Sequence, residues 1–477
     1  MGRVTVNSTI GFSVVIFLVM PYSLAIATDS PLGTPYGAQE RLRVIVETDA
    51  GGDPDDEQSL VRFLLYANEL DVEGIICNRP TARDGENRNS ERTGLGIVRN
   101  LVKAYRECYP NLVRHDARYP PPEQLLRRTV SGYEDSDQGV NLILAAVDVD
   151  DPRPVWFMNW GTDHGSASSS LKRALDRVLQ ERGASGYARF KDRLRLSSSD
   201  KFGEHTTAIK PLFRIWIDTF RPELNRKRWY HRFSALTATA GGFDLKRDVL
   251  TSHGPLGALY PTNTRPPQKE GDTMTFLYLV PTGMNDPEKP TWGSWAGRYG
   301  RNENYTDKNY YWANQQDAWQ GSTNRDNTLK RWAVHLQNDF KARLDWCVTD
   351  FAGANHPPVP RLKGPLRRKV APGEQVRLDA GSSTDVDGDS LAYTWMFYPE
   401  VGSYRGTLPQ LADSCSPQIS FVAPKVDTIE TIHLLVVVTD NGVPSLTRYR
   451  RVIVTIDPKA AAVIEQGSSK INKSKLE

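Results

Sequence analysis

The sequence predicts an α/β domain, a mostly parallel sheet with helices on both faces, followed by an all-β immunoglobulin-like sandwich. Three observations carry this. From Arg41 to Trp346, short apolar runs alternate with stretches of apolar residues at helical spacing, the pattern of strands joined by crossover helices. The composition then shifts at Asn355-His356-Pro357-Pro358-Val359-Pro360, a Pro-rich stretch. Beyond it come about 100 residues of short strands separated by turn signals. A length of 477 residues is too great for one ordinary core and fits two domains. The expected boundaries are 40–354 for the α/β domain, 355–361 for the linker, 362–459 for the sandwich and 460–477 for a polar tail.

Each element follows from its residues. Leu42 to Val46 is a β-branched run and predicts a strand, and Gly51-Gly52-Asp53-Pro54 predicts a turn. Gln58 to Glu69 carries Leu60, Val61, Leu64 and Leu65 on one helical face; Val72 to Cys77 is a second strand. Helices are expected at Thr93–Tyr105, Val140–Val147 and Leu171–Leu179, and strands at Val155–Met158, Arg193–Leu196 and Thr275–Val280. Leu329 to Trp346 predicts a long closing helix. Between them, 281–327 is rich in Gly, Asn, Trp and Tyr with little periodicity, the composition of a functional loop. The sandwich strands are expected at Gln375–Asp379, Leu391–Phe397, Ile419–Val422, Ile432–Thr439 and Arg448–Ile456.

The first 27 residues read as a signal peptide: Arg3, an apolar stretch from Ile10 to Ile26, and Ala25-Ile26-Ala27 as a cleavage site. The protein is therefore expected to be secreted, periplasmic or extracellular, with no membrane span in the mature chain. A formal charge of +3 argues against a nucleic-acid partner bound by phosphate neutralisation. The four cysteines, Cys77, Cys108, Cys347 and Cys415, match no zinc spacing; a Cys77–Cys108 bridge is open. Ser169-Ser170-Leu171-Lys172 spells S-x-x-K without its partner motifs and reads as a helix start, and neither G-x-S-x-G nor G-x-G-x-x-G occurs.

The most informative segment is Glu47-Thr48-Asp49-Ala50-Gly51-Gly52-Asp53-Pro54-Asp55-Asp56, five carboxylates at the carboxyl end of a strand. That edge of an open α/β sheet is where ligands bind. Crowded carboxylates repel unless a cation offsets them, and an oxygen-only donor set suits Ca2+ before magnesium. Helix capping by Asp53, with Pro54 at the first helical position, accounts for part of the run but not for Asp49.

The segment resembles the opening of the nucleoside hydrolases, a strand running into D-x-D-x-G-x-D-D and a helix. Two departures stand out: Glu47 replaces the first Asp, and the turn carries about one extra residue. The chain also resembles a group of secreted bacterial nucleoside hydrolase-like proteins described as cellulose-binding, which carry a C-terminal sandwich. That likeness rests on the acidic turn, on Asp151-Pro152-Arg153-Pro154-Val155-Trp156, on Glu270-Gly271-Asp272 and on Trp292-Gly293-Ser294-Trp295-Ala296-Gly297-Arg298-Tyr299.

The resemblance implies that Asp49 binds calcium and acts as general base toward a water on the metal. It implies Asp56 as main metal ligand, Asp55 as a ligand that also holds sugar hydroxyls, Asp272 as the late Asp, and Thr162 near the backbone carbonyl ligand. Asn78 is the candidate for further sugar contact, with Asn87 and Asn89 as competitors. A leaving group needs an acid or a stacking partner. His164, His205 and His253 are candidates for the first, and Trp292 and Trp295 for the second. The implied activity is a calcium-dependent glycosidase acting on an N- or O-glycoside, a nucleoside or a substrate derived from a plant or algal glycan, with polysaccharide as a further ligand and a homo-oligomer left open. The alternative is a non-catalytic carbohydrate-binding protein on the same scaffold.

In the sandwich, Ser383-Thr384-Asp385-Val386-Asp387-Gly388-Asp389 is similar to a turn of cadherin-like and PKD-like modules. Its three alternate acids could hold calcium, or could form an Asp/Gly turn with local side-chain bonds.

Overall fold

The structure, a computed structural model, describes residues 41–83, 90–161, 169–198, 213–216, 232–303 and 309–460. The α/β part opens with β1 (Leu42–Thr48), α1 (Asp55–Leu65), β2 (Leu70–Cys77), α2 (Gly94–His115), α3 (Pro122–Arg127) and β3 (Thr129–Ser131). It continues through α4 (Gln138–Asp148), β4 (Val155–Trp160), α5 (Ser170–Asp192), β5 (Leu194–Ser198) and β6 (Phe213–Trp216). Short pieces follow: α6 (Arg232–Thr237), α7 (Gly254–Ala258), α8 (Thr273–Leu277), β7 (Gly300–Arg301), β8 (Tyr310–Trp312), β9 (Asp317–Trp319) and β10 (Ser322–Asn324). Helices α9 (Asn327–Lys330) and α10 (Ala333–Asp345) close it.

The main sheet runs β3-β2-β1-β4-β5-β6-β8-β7, parallel except for the last pair. Its order reverses between β1 and β4. There the connecting helices leave to opposite faces and open a crevice at the carboxyl ends of both strands. The alternation along β1 shows the two faces. Val44 and Val46 pack with Leu60, Leu64, Val98 and Leu101 of α1 and α2. Ile45 packs with Ile143, Leu171 and Leu175 of α4 and α5. Helices cover both faces, as the alternation of elements predicts.

The sandwich comprises β11 (Arg367–Val370), β12 (Gln375–Asp379), β13 (Ala392–Phe397), β14 (Gln418–Val422), β15 (Glu430–Thr439) and β16 (Thr447–Ile456). A sheet β11-β16-β15-β13 faces the pair β12-β14 around Trp395, Phe421, Leu434 and Val452. Strand β15 is apolar on both sides. Leu434 and Val436 enter that core, whereas Leu435 and Val437 join the large α/β core together with Tyr449. Polar contacts reinforce the junction. Asp339 of α10 takes Arg343 at 2.8 Å and Arg448 of β16 at 2.7 Å. The Pro-rich stretch 355–360 is buried along its length rather than solvated. Trp346 Nε1 donates to the Asn355 carbonyl at 2.9 Å.

Two elements differ from expectation. The run Thr275–Val280 is not a strand: α8 covers Thr273–Leu277, and Val280 N donates to Phe276 O. Its side chains are all buried, so apolarity carries no period by which to tell helix from strand. The closing helix is broken at Arg331–Trp332 into α9 and α10. The four cysteines are free thiols, and Cys108 contacts Cys347 rather than Cys77. No helix of the described residues is long and apolar enough to cross a membrane.

Candidate functional site

Strand β1 delivers the acidic turn to the crevice. Asp49 N extends the β1–β4 pairing by donating to Trp160 O at 3.3 Å, and Gly52 N returns to Asp49 O at 3.0 Å. The turn needs Gly51, whose φ of 91° is strained for any side chain. Helix α1 then starts at Asp55, with Asp55 and Asp56 in its first turn, where the positive end of the helix favours carboxylates. Asp53 does not cap it; the residue before the helix is Pro54, and Asp53 instead pairs with Lys269.

The third acid arrives from the far side. Asp55, Asp56 and Asp272 are all buried, and a carboxylate oxygen from each lies within 4.8 Å of the others. Oxygens bound to one calcium at about 2.4 Å are at most about 4.8 Å apart, so the three fit a single hard cation. Thr48 Oγ1 donates to Asp56 Oδ1 and fixes its rotamer. Asp49 stands at the rim, about a third exposed, hydrogen-bonded to the Asp56 carboxyl and 3.7 Å from Arg79. Gly161, at the end of β4, leaves room for it: a Cβ there would lie 2.8 Å from Asp49 Oδ1.

Electrostatics agree with the geometry. Burial, followed by the charge of Asp53, pushes the Asp55 carboxyl up from the ordinary 3.8 to about 7. Burial, then Asp272, Asp49 and Asp55, pushes Asp56 well up. Burial also raises Asp49, against its bonds to Asp56 and Arg79. A bound cation reverses this penalty by favouring the charged forms.

Asp272 owes its place to a buried network. Gln58 of α1 donates to the carbonyls of Pro261 (2.9 Å) and Pro267 (2.7 Å), and its Oε1 accepts from Lys269 N (2.8 Å) and Glu270 N (3.1 Å). Arg62, one turn further, forms a two-pronged pair with Glu270, both fully buried. Glu270 also accepts from Tyr260, Gln268 and Thr273 at 2.8, 2.8 and 2.9 Å. These positioning residues are absent from the sequence expectations, which single out Glu270 only as part of Glu270-Gly271-Asp272. Glu57, Gln58 and Arg62 look like surface residues of an amphipathic helix until the loop that covers them is known.

Glu47 points to the opposite face of β1, where its carboxylate accepts from Ser170 N at the start of α5 at 2.8 Å. Burial pushes it to about 7 against the bonds from Ser170 and Asn78. Asn78, at the end of β2, is thus beside Glu47, and its Oδ1 fills the space left by Gly132.

Trp295 is a correction. Trp295 is wholly buried and donates from Nε1 to Tyr449 Oη at 3.2 Å, so it packs the junction and offers no face to a sugar. Trp292 is half-buried beneath the guanidinium groups of Arg367 (5.3 Å) and Arg451 (5.4 Å), lining a cavity of about 250 Å³ beside the sandwich. Both belong to the junction, where sequence pattern alone could not foresee that a second domain covers the aromatic loop. His253 bonds Asp345 at 3.2 Å at the end of α10 and is not part of the cluster. Thr162, His164, His205, Asn87 and Asn89 lie outside the described residues.

Two family models match the chain. The model described as cellulose-binding Sde182, nucleoside hydrolase-like domain, matches residues 43–299, and that of cellulose-binding protein Sde0182, C-terminal domain, matches 375–456. A solved structure, a nucleoside hydrolase-related hypothetical protein from Saccharophagus degradans that is associated with carbohydrate metabolism, shares 31% identity. The match covers 88% of this chain and 100% of that one, with a TM-score of 0.67. The PKD domain from KIAA 1837 protein matches 21% of this chain and 88% of its own at 19% identity and a TM-score of 0.16, too low to carry an argument. No curated protein matches the chain. The fold, the two matched regions and the full-length structural likeness together show that this chain belongs to the Sde182 family of cellulose-binding proteins with a nucleoside hydrolase-like domain.

Proposed function

We propose that this chain is a secreted, calcium-dependent glycosidase that hydrolyses an N- or O-glycosidic bond of a small glycoside or glycan-derived substrate. The observation that carries the reading is the convergence of Asp55, Asp56 and Asp272 within 4.8 Å at the β1–β4 crevice, with Asp49 hydrogen-bonded to Asp56 at its rim. Asp56 and Asp272 would hold the ion, and Asp55 would hold it and accept from sugar hydroxyls. Calcium, when bound, orients a water and lowers its pKa. Asp49, held at the rim by its hydrogen bond to Asp56, would take the proton from that water as its charged carboxylate. The negative cluster also offsets the positive charge that develops on the sugar as the bond breaks.

A second reading, a carbohydrate-binding protein without turnover, is favoured by the description of both matching family models as cellulose-binding. Fold likeness does not decide between them. Hydrolysis of a panel of p-nitrophenyl glycosides and nucleosides, with calcium and with EDTA, separates the two. Calcium-dependent release lost in Asp49→Ala supports the glycosidase. Silence across the panel together with retention on cellulose supports the binder.

A further inference from the structure

We propose that the loop Asp385–Asp389, with Asp440 and Asn355, forms a second calcium-class cation site, built where the Pro-rich segment meets the sandwich. It shares no residue with the cluster of the β1–β4 crevice. Three carboxylates of the loop, from Asp385, Asp387 and Asp389, each offer an oxygen within 4.8 Å of the others. Acidic turns are common, and local bonds do explain part of this one. Asp385 Oδ1 accepts from Asp387 N at 2.8 Å, and Asp387 accepts from His356 N at 2.7 Å and from the His356 ring at 2.9 Å.

The buried oxygens that remain are what call for a cation. Asp440, in the turn between β15 and β16, is 4% exposed. Its Oδ1 accepts from Leu446 N (2.8 Å), Gly442 N (3.1 Å) and Asn355 Nδ2 (3.1 Å), while its Oδ2 is buried without any donor. Asp385 Oδ2 is buried without a donor as well, and so is Asn355 Oδ1. The two aspartates are close enough for their charges to repel. Ser390 N donates to Asn441 Oδ1 at 2.7 Å, which ties the end of the acidic loop to the Asp440 turn. Buried acceptors without donors are costly, and charged ones more so. The free oxygens of Asp385, Asp440 and Asn355, with the carboxylates of Asp387 and Asp389, make an all-oxygen donor set, which suits calcium rather than a softer metal. In the loop, Asp385 Oδ1 accepts the backbone N–H groups of Asp387 and Asp389, which leaves Oδ2 as the oxygen open to an ion. Occupancy would fasten Asn355, which closes the α/β part, to two loops of the sandwich.

The test is calcium titration of the full chain by isothermal calorimetry. Wild type is expected to bind two ions. Asp385→Asn and Asp389→Asn, changes in a surface loop, should each remove or weaken one binding event at least tenfold and leave the other. Asp272→Asn should do the reverse, so failure at one site is distinguishable from failure at the other. Wild-type stoichiometry that Asp385→Asn, Asp389→Asn and Asp440→Asn all leave unchanged would overturn the proposal. So would wild type binding one ion that Asp272→Asn abolishes, since Asp385 and Asp440 would then be sharing a proton instead.

Discussion

Replacing Glu270 with Ala tests how the crevice is assembled. Glu270 and Arg62 are both fully buried, and the carboxylate satisfies Arg62 through two bonds as well as Tyr260, Gln268 and Thr273. The substitution leaves a guanidinium buried on the Phe340 ring, 3.6 Å away, still donating to Gln337 Oε1 at 2.9 Å. Breaking one side of a buried ion pair costs about 3–5 kcal/mol. Against a total of roughly 5–15 kcal/mol this is a large fraction. Urea unfolding at 25 °C should show a midpoint shifted down with little change in slope. Because Glu270 sets the loop that carries Asp272, calcium affinity should fall as well. Glu270→Gln keeps the shape and one acceptor and should lose less. A loss below about 1 kcal/mol for the Ala variant, with calcium binding unchanged, would refute the view that this pair holds Asp272 in place.

Other expectations follow from the same site. In EDTA the folded chain keeps the Asp55 proton to about pH 7, whereas the unfolded chain releases it near 3.8. The native state therefore binds more protons between these values, and stability falls as pH rises through the window, by roughly 4 kcal/mol for this group. Melting curves should accordingly show a calcium-induced gain that widens from pH 5 to pH 7; a gain independent of pH contradicts the assignment. Gly161→Ala puts a Cβ 2.8 Å from Asp49 Oδ1 and should lower kcat roughly 100-fold by displacing the base, while calcium still raises Tm. Turnover equal to wild type counts against Asp49 as the base. Trp295→Ala should cost about 3–5 kcal/mol in denaturant unfolding and leave substrate affinity unchanged. Lost affinity at unchanged stability would return Trp295 to the binding surface.

How much was legible in the sequence depends on whether a signal was local. The acidic turn was readable because β1, the turn and α1 are contiguous, and chain order alone places them at the carboxyl edge of a parallel sheet. Asp272 was readable only through likeness, since 215 residues of sequence lie between Asp56 and it. The buttress of Gln58, Arg62 and Glu270 was not readable, because a polar helix face announces solvent unless a distant loop is known to cover it. The same blindness hid the roles of Trp292 and Trp295. An aromatic loop reads as a ligand platform until a second domain is laid against it, and that β15 is apolar on both faces emerged only from the structure. Thr275–Val280 failed for the complementary reason: uniform burial erases periodicity.

The central claim is that the crevice holds calcium with a coordination position left for water and substrate. Anomalous diffraction from a crystal grown with calcium tests it most directly. The account predicts a peak about 2.3–2.6 Å from oxygens of Asp56, Asp55 and Asp272, with Asp49 facing an unfilled position on the ion. No peak at these residues, or an ion whose every position is taken by protein oxygens, would contradict it.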